Sequence, residues 1–391
     1  MKKQIPSYIA SRLTFGDLAS SRGLLQLVDR LGTVSQRQAA KELGLSPGTC
    51  NLHFQKLEHL GLIHRTAEVS GRGRSTIQWE IEQKKNTCIE IVFDVPFVLA
   101  ALTDFEGTVL LSEREELTGQ ENATQLEKLV DRFICKAKLV AKEYEVHIRQ
   151  VFMGLPGILD PTHSKVLQAV NFPVLDGMDF KAMIEDRYDL PCYCGSLGEA
   201  FFYGELEQLP ADARSLVLVW DRGLGIVAGA GNILISRGSN MLHLSELGHI
   251  RIAKNGKRCH CGRNDCLEAY VGGWAMIDEL GRDDITNLND LLHAIEAGDA
   301  DALRVANDAA RTLGENLSWP IQIMESERLI VSGPLSPIFK HVRPAMLEGL
   351  GALFSEDEIA RLNPQSSKDP QRAIHTGAAR LARYMYIYLE P

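Results

Sequence analysis

Between His249 and Cys266 the chain gathers an imidazole and three thiols, at His249, Cys259, Cys261 and Cys266, within eighteen residues, with the carboxylates of Glu246 and Glu268 at either end. Thiolate and imidazole are the ligands tetrahedral zinc prefers, and four protein ligands make a closed, structural site. Cys259 and Cys261 are too close in sequence to bridge comfortably, and thiols stay reduced in a cytosolic setting, so a disulfide is the weaker reading. Taken alone, the cluster leaves zinc beside the alternative of buried or incidental cysteines. Most zinc sites carry Cys-x-x-Cys pairs, and this spacing becomes diagnostic only in context.

A chain of 391 residues, 45% of them hydrophobic, can build two or three domains with real cores. No apolar run approaches the roughly 18 residues of a membrane span. The stretch Met1-Lys2-Lys3-Gln4-Ile5-Pro6 lacks the apolar centre of a secretory signal. A cytoplasmic location with no membrane partner is expected. Cys50, Cys88, Cys135, Cys192 and Cys194 are scattered and read as small core residues. The net charge of −9 hides an asymmetry, because residues 1–80 carry eleven Lys/Arg against six Asp/Glu and the remainder carries 31 against 45. A basic head on an acidic body predicts that the head alone meets a polyanion.

The head reads as a winged helix-turn-helix over residues 21–79. Ser20 or Ser21 can cap a first helix through Arg30, with Leu24, Leu25, Leu27, Val28 and Leu31 on its apolar side. Ser35 caps a second helix that Gly44 ends in the left-handed region, and Ser46 caps a third with Pro47 at its first position. In that third helix Cys50, Phe54 and Leu57 recur at helical spacing and face the core. Ser46, Gly48, Thr49, Asn51, Leu52, His53 and Gln55 are expected outward, a short, polar, neutral face suited to base edges, with Leu52 able to touch a thymine methyl. Ser70-Gly71-Arg72-Gly73-Arg74-Ser75 precedes a strand from Thr76 to Ile81. Arg72 and Arg74 on this Gly-hinged wing tip would track phosphates or enter a narrow minor groove. The plainer alternative is a solvated hairpin tip.

From about residue 85 the pattern changes to strands and helices. Ile89–Asp94, Val98–Thr103 and Thr108–Glu113 read as consecutive strands, residues 121–143 as a helix and His147–Gly154 as a further strand. A second set begins near Ser215–Trp220 and continues through Ile235. One strand-strand-strand-helix arrangement appearing twice implies a two-lobed α/β body with a cleft between the lobes.

In this setting the chain resembles the ROK family (repressor, open reading frame, kinase), in its transcriptional-regulator branch, over essentially its whole length. Ser245-Glu246-Leu247-Gly248-His249 is similar to the family's Gly-Glu-x-Gly-His. Cys259–Glu268 is similar to its Cys-x-Cys-Gly-x-x-Gly-Cys-Leu-Glu. Weaker matches are residues 154–160, Asn171-Phe172-Pro173, and Gly377-Ala378-Ala379 before the last helix. Ser245 and Asp265 stand where the family has glycine, and neither change removes a ligand. The resemblance implies an α/β chain with a winged helix-turn-helix over residues 1–82. A two-lobed body of the actin-like ATPase/hexokinase type follows, with lobes over 83–200 and 201–391 and the last helix packing back on the first lobe. It implies a structural Zn2+ on His249, Cys259, Cys261 and Cys266. It also implies sugar hydroxyls bound by Glu246, His249 and Glu268, with Gly157, Asn171 and Ser196 at further ligand-facing positions. The chemistry suits this, since carboxylates accept from vicinal hydroxyls and an imidazole with one nitrogen on zinc presents the other.

Family kinases also need glycine-rich phosphate cradles and a catalytic Asp, and here both are altered. The first cradle reads Asp94-Val95-Pro96-Phe97-Val98, where Pro96 has no N–H and Phe97 fills a phosphate's space. The second reads Asp221-Arg222-Gly223-Leu224-Gly225, with an added negative charge at Asp221. The third, Ser332-Gly333-Pro334-Leu335-Ser336, places proline where a second glycine is typical. At the base, Ser196-Leu197 replaces Asn-Asp, and leucine cannot accept a proton. Glu199, two residues on, could substitute only in a rebuilt loop. No catalytic residue is therefore expected. The expectation is a sequence-specific DNA-binding repressor of carbohydrate metabolism. It would bind a palindromic double-stranded operator as a homodimer or dimer of dimers and sense a sugar or sugar derivative in an inactive cleft. An ATP-dependent sugar kinase with a DNA-binding head, and a constitutive DNA binder with a vestigial pocket, remain open.

Overall fold

The head begins with α1 (Phe15–Leu31), which buries Leu24, Leu25, Leu27 and Val28. Ser35 ends β1 (Val34–Ser35) and caps α2 (Gln36–Leu43), its Oγ accepting from the Gln38 N–H at 3.2 Å. Gly44 closes α2 at φ 63°, where a side chain is disfavoured. Ser46 caps α3 (Pro47–His59) through the Thr49 N–H, with Pro47 in the first turn, where its missing donor has no partner to lose. β2 (Ile63–Glu68) and β3 (Thr76–Ile81) pair antiparallel, and β1 pairs with the other edge of β3. The computed structural model describes residues 15–68, 76–160, 162–170, 172–210, 212–231, 233–234 and 244–388. The wing tip with Arg72 and Arg74 lies outside them, as does Asn171. The first helix differs from expectation by starting at Phe15. Ser21 lies inside it, buried, and Leu31 faces solvent.

Two five-stranded sheets of the same topology follow. β4 (Asn86–Asp94), β5 (Phe97–Asp104) and β6 (Val109–Glu116) form an antiparallel meander. After α4 (Ala123–Glu143), β7 (His147–Leu155) runs parallel to β4. The hairpin of β8 (Ile158–Leu159) and β9 (Val166–Gln168) leads through α5 (Phe180–Tyr188) to β10 (Cys192–Ser196), and the order is β10-β7-β4-β5-β6. α6 (Leu197–Glu205) then crosses to β11 (Arg214–Trp220), β12 (Leu224–Ala230) and β13 (Ile233–Leu234). A 3-10 turn (Leu244–His249), α7 (Glu268–Val271), α8 (Gly273–Leu280), α9 (Leu288–Glu296) and α10 (Ala300–Ile323) precede β14 (Arg328–Ser332). α11 (Phe339–Leu350), α12 (Glu356–Leu362), β15 (Gln365–Ser366) and α13 (Pro370–Tyr388) complete the chain, and the second sheet has the order β13-β12-β11-β14-β15. The repeated strand pattern read from the sequence is thus two copies of one sheet. Among the described residues no helix is long and apolar enough to cross a membrane.

Residues of β4 alternate between two cores. Ile89, Ile91 and Phe93 pack with Leu126, Val130 and Phe133 of α4, while Cys88 and Val92 belong to the core that holds α6 and α13. A strand covered on both faces buries side chains of both, and from Cys88 to Phe93 of β4 only Glu90 interrupts the apolar run. α13 lies on α6, on β4 and β7, and reaches α1 of the head. The contact with α6 is made backbone to backbone. A Cβ at Gly377 would stand 1.7 Å from Ala200 O, and one at Gly204 would stand 2.0 Å from Ala373 O.

The head is tied to the body at both of its ends. Asp29 of α1 accepts from Tyr388 Oη at 2.9 Å and from the Arg383 guanidinium, both on α13, and Gln26 Nε2 donates to Ile387 O at 3.2 Å. At the other end Arg149 of β7 donates to Leu60 O at 2.6 Å, and Asn86 Nδ2 to Gly61 O at 2.8 Å. Replacing Gly377 by Val must separate α6 from α13, because the atoms it strikes are main chain. The expected loss is about 1–3 kcal/mol of stability or more, with a lower thermal midpoint. A midpoint equal to that of the natural chain would count against this close contact.

Candidate functional site

On α3 the outward face is smaller than the sequence suggested. Ser46, Gly48, Thr49 and Gln55 are exposed, and Leu52 is 47% exposed. His53 is not among them. It is 2% exposed, with Nδ1 2.8 Å from Ser21 Oγ, so it joins α3 to α1 instead of facing outward. The geometry requires this: 50, 53, 54 and 57 form one i, i+3, i+4, i+7 stripe, and that stripe is the buried one. The Ser46 hydroxyl is engaged as a cap and lies 2.8 Å from Thr49 Oγ1. Asn51 is half-buried, its Oδ1 accepting from Gln36 Nε2 of α2 at 2.7 Å, which fixes the amide's orientation. Gln36 and the exposed Arg37 beside it escaped the sequence reading, although Ser35-Gln36-Arg37 opens a helix whose first turn meets α3.

The second cluster lies beside β12. His249 ends the 3-10 turn, and Cys259, Cys261 and Cys266 sit on the loop before α7. The four ligand atoms all lie within 4.8 Å of one another. Cys259 Sγ is 3.6 Å from His249 Nδ1, and Cys261 Sγ is 3.6 Å from Cys266 Sγ. A tetrahedral ion bound at about 2.0–2.3 Å holds its ligand atoms roughly 3.3–3.8 Å apart, so these residues fit a four-coordinate metal. Burial pushes the Cys259 thiol up to about 12. At Cys261 burial is outweighed by the N–H and guanidinium of Arg263, and the thiol falls below its ordinary range. The loop closes on itself through Cys259 N–H to Arg263 O at 2.9 Å and Gly262 N–H to Cys259 O at 3.0 Å. Asp265, in the family's glycine position, has φ 65° and is fully buried. Its carboxylate compensates for that backbone by accepting from Gly256 N–H at 2.6 Å and Arg251 Nη2 at 3.2 Å.

His249 turns its other nitrogen the opposite way, with Nε2 3.8 Å from Glu246 Oε2, and Glu246 is partly exposed. Glu268 behaves differently from these two. It is 4% exposed, and its oxygens accept from Leu224 N–H at 3.1 Å and Trp274 Nε1 at 3.2 Å. Trp274, which also stacks on His260 at 3.8 Å, gave no signal in the sequence. The turn of the second phosphate cradle therefore donates to a protein carboxylate, with Glu268 Oε2 2.7 Å from where a Gly223 Cβ would stand. At the third cradle Leu335 N–H donates to Trp220 O and Ser336 N–H to Gly333 O, each at 2.9 Å. At the first, Asp94 pairs with Phe97 across the β4–β5 hairpin, and Arg114 covers the Phe97 ring at 3.6 Å.

Ser196 and Leu197 stand where β10 ends and α6 begins. Ser196 Oγ accepts from Glu199 N–H at 3.2 Å while Ser196 N–H donates to Glu199 Oε2 at 2.8 Å, a reciprocal capping box. Glu199 Oε1 accepts from Tyr193 Oη at 3.3 Å, and Tyr193 Oη lies 3.1 Å from His163 Nδ1. This chain turns Glu199 toward its own helix end. Leu197 is the first residue of α6 and is partly buried. Gly157, at φ 89°, leaves room for Gln168 O 2.2 Å from where its Cβ would be, so its first duty is the β8–β9 close approach. α6 meets the second lobe at Gly198, whose Cβ would stand 2.5 Å from Val227 Cγ2 of β12. Leu197, Glu246 and His249 thus belong to elements that meet at β12, and Ser196 caps the first of them.

Residues 97–384 match the ROK family, and residues 12–64 match a winged helix-turn-helix DNA-binding domain. The chain belongs to the ROK family. It is 24% identical over 352 residues to the DNA-binding transcriptional dual regulator NagC of Escherichia coli K12, covering 84% of this chain and 83% of NagC. It is 20% identical over 383 residues to the transcriptional repressor Mlc of the same organism, 92% of each chain. To the xylose repressor of Bacillus subtilis 168 it is 22% identical over 328 residues, covering 81% of this chain and 83% of that one. A crystal structure of a ROK family transcriptional regulator, a homologue of E. coli Mlc, superposes with a TM-score of 0.77 at 20% identity over 95% and 96% of the two chains. A ROK glucokinase from Streptomyces griseus, solved with glucose and AMPPNP, gives 0.62 at 23% identity over 76% of this chain and 99% of its own. The two-lobed body is the ROK fold, preceded here by a winged helix.

Two measurements test the site. Cys261→Ala removes one of the four candidate ligands, and bound divalent metal per chain is expected to fall to near zero; full occupancy would refute the ligand set. Asp94 supplies the second. Burial pushes its carboxyl up to about 7, Asp221 adding and Arg114 opposing. The folded chain then keeps a proton the unfolded chain releases, so stability falls as pH rises from about 4 to about 7. Asp94→Asn is expected to flatten that part of the stability curve, and an unchanged slope would exclude Asp94 as its source.

Proposed function

We propose that this ROK protein is a sequence-specific DNA-binding transcriptional regulator, a repressor of carbohydrate metabolism, that senses a sugar or sugar derivative in a cleft without kinase activity. The observation that carries the reading is the joining of a winged helix to a body in which N–H groups of the second and third cradles already donate to protein acceptors. An ATP site needs those donors free for phosphate, and Leu197 offers no base. The names of NagC, Mlc and the xylose repressor support the regulatory role, and their alignment runs through both head and body.

In this reading residues 1–82 bind DNA and residues 83–200 and 201–391 form the two lobes. Ser46, Gly48, Thr49, Asn51 and Leu52 face the major groove, with Arg72, Arg74 and Arg37 on phosphates or the minor groove. Two heads in a homodimer, or a dimer of dimers, meet the half-sites of a palindromic operator in the cytoplasm. Zn2+ on His249, Cys259, Cys261 and Cys266 supplies no chemistry to a reaction. It holds the His249 ring so that the face toward Glu246 is set for a sugar hydroxyl. Gly157, Asn171 and Ser196 complete the ligand wall. Glu268 supports it from beneath, since both its oxygens already accept from the protein.

A gel shift with the chain's own upstream DNA tests the head. Arg72→Ala and Arg74→Ala are expected to weaken binding and lower its salt slope by about one each, with metal content unchanged. Thermal shift over a panel of hexoses and amino sugars tests the cleft, where a true ligand raises the midpoint and Glu246→Gln abolishes the rise. ADP release from ATP over the same panel would instead establish the kinase reading.

A further inference from the structure

Outside the sugar cleft a cavity of about 790 Å³ opens between β5, the turn after it, and one face of α13. Arg372, His375, Arg380 and Arg383 recur along that face at helical spacing and reach its wall. The acids around it already have donors in the protein. Asp104 accepts from Glu106 N–H at 3.0 Å and Thr108 N–H at 2.8 Å, and Asp369 accepts from Arg372 N–H at 3.0 Å. Glu207 pairs with Arg380, and Glu106 lies 3.9 Å from Lys84. The donors are not balanced in the same way. Arg372 is exposed, and its guanidinium has no acceptor among the described residues. Arg383 Nε is buried and without a partner among them. A buried N–H with no acceptor is costly and asks for one.

The cavity adjoins the joint between head and body. Arg383 is the residue whose guanidinium holds Asp29 of α1, and its Cζ lies 5.7 Å from the ring of Phe105, another lining residue. Phe105 in turn lies 6.1 Å from Tyr386, two residues before the second partner of Asp29. We propose that this cavity is a second ligand site, for a small organic anion such as a phosphate ester or a carboxylate. The anion bonds Arg372 and Arg383, competes with Asp29, and loosens the head from α13.

The full chain is titrated with inorganic phosphate and, separately, with citrate, at an ionic strength held constant with chloride. Binding is read by calorimetry and the head by amide exchange in α1. Saturable binding of either anion is expected, with faster exchange in α1. Phosphate alone binding points to a phosphate ester, citrate alone to a carboxylate, and both to a site that reads charge. Arg372→Ala, an exposed position, is expected to weaken binding about tenfold or more, the loss of one charge-assisted hydrogen bond. Glu246→Gln is expected to leave it unchanged, which separates this site from the sugar cleft. The proposal is overturned if neither anion binds, if Arg372→Ala binds as the natural chain does, if Glu246→Gln abolishes binding, or if α1 exchange does not respond.

Discussion

The main-chain contact between α6 and α13 holds the remaining parts in register. α6 begins at Ser196-Leu197 beside the proposed ligand site, and α13 ends at the tyrosines that meet the head, so one helix pair touches both candidate regions. The contact works only because Gly204 and Gly377 carry no side chain, since each helix presents a carbonyl where the other would place a Cβ. Helices at that separation cannot slide without steric conflict, and packed interiors shift between discrete arrangements instead of deforming smoothly. A movement at the N-terminal end of α6 would therefore be passed to α13 as a rigid displacement.

Much of this was legible in the sequence, for reasons that are local. Ser35, Gly44, Ser46 and Pro47 act through their own backbone and the next turn, so caps and stops read directly. The doubled sheet was legible because strands covered on both faces leave long apolar runs at matching intervals. The His249–Cys266 set was legible because ligand chemistry restricts residue type more tightly than packing does. What escaped depends on contacts distant in sequence. His53 looked outward because its polarity suggested it, but its partner Ser21 lies 32 residues away and makes a buried imidazole tolerable. The same distance hid Ser21 as an interior helix residue and led to a late start for α1.

Glu268 shows the subtler failure. The motif makes it a candidate ligand contact, whereas the structure shows a buried carboxylate with two protein donors. The direction of its carboxylate depends on Leu224 and Trp274, 44 residues before it and six after it. A carboxylate with two internal donors is held at one orientation and braces the turn that carries Leu224. That bracing is also what removes the Leu224 N–H from any phosphate. One residue therefore bears on two inferences that the sequence kept apart, the wall of the sugar pocket and the loss of the nucleotide site.

The joint between head and body has the energetic scale a regulator needs. Among the described residues its polar contacts include Asp29 with Arg383 and Tyr388, Gln26 with Ile387, and Arg149 and Asn86 with the turn after α3. Partly exposed ion pairs contribute roughly 0–1 kcal/mol each, and hydrogen bonds to charged groups about 1.5–3 kcal/mol. The apolar seam beneath them, where Tyr384, Tyr386 and Ile387 join the core of α1, sets a background that either arrangement of the head must satisfy. Allosteric coupling of about 1–3 kcal/mol changes an affinity some 5- to 150-fold. Losing one or two of these polar contacts falls within that range, whereas exposing the whole seam would exceed it. On this scale, a signal carried through α13 as proposed above would act by exchanging the partners of Asp29 and not by expelling the head from the body.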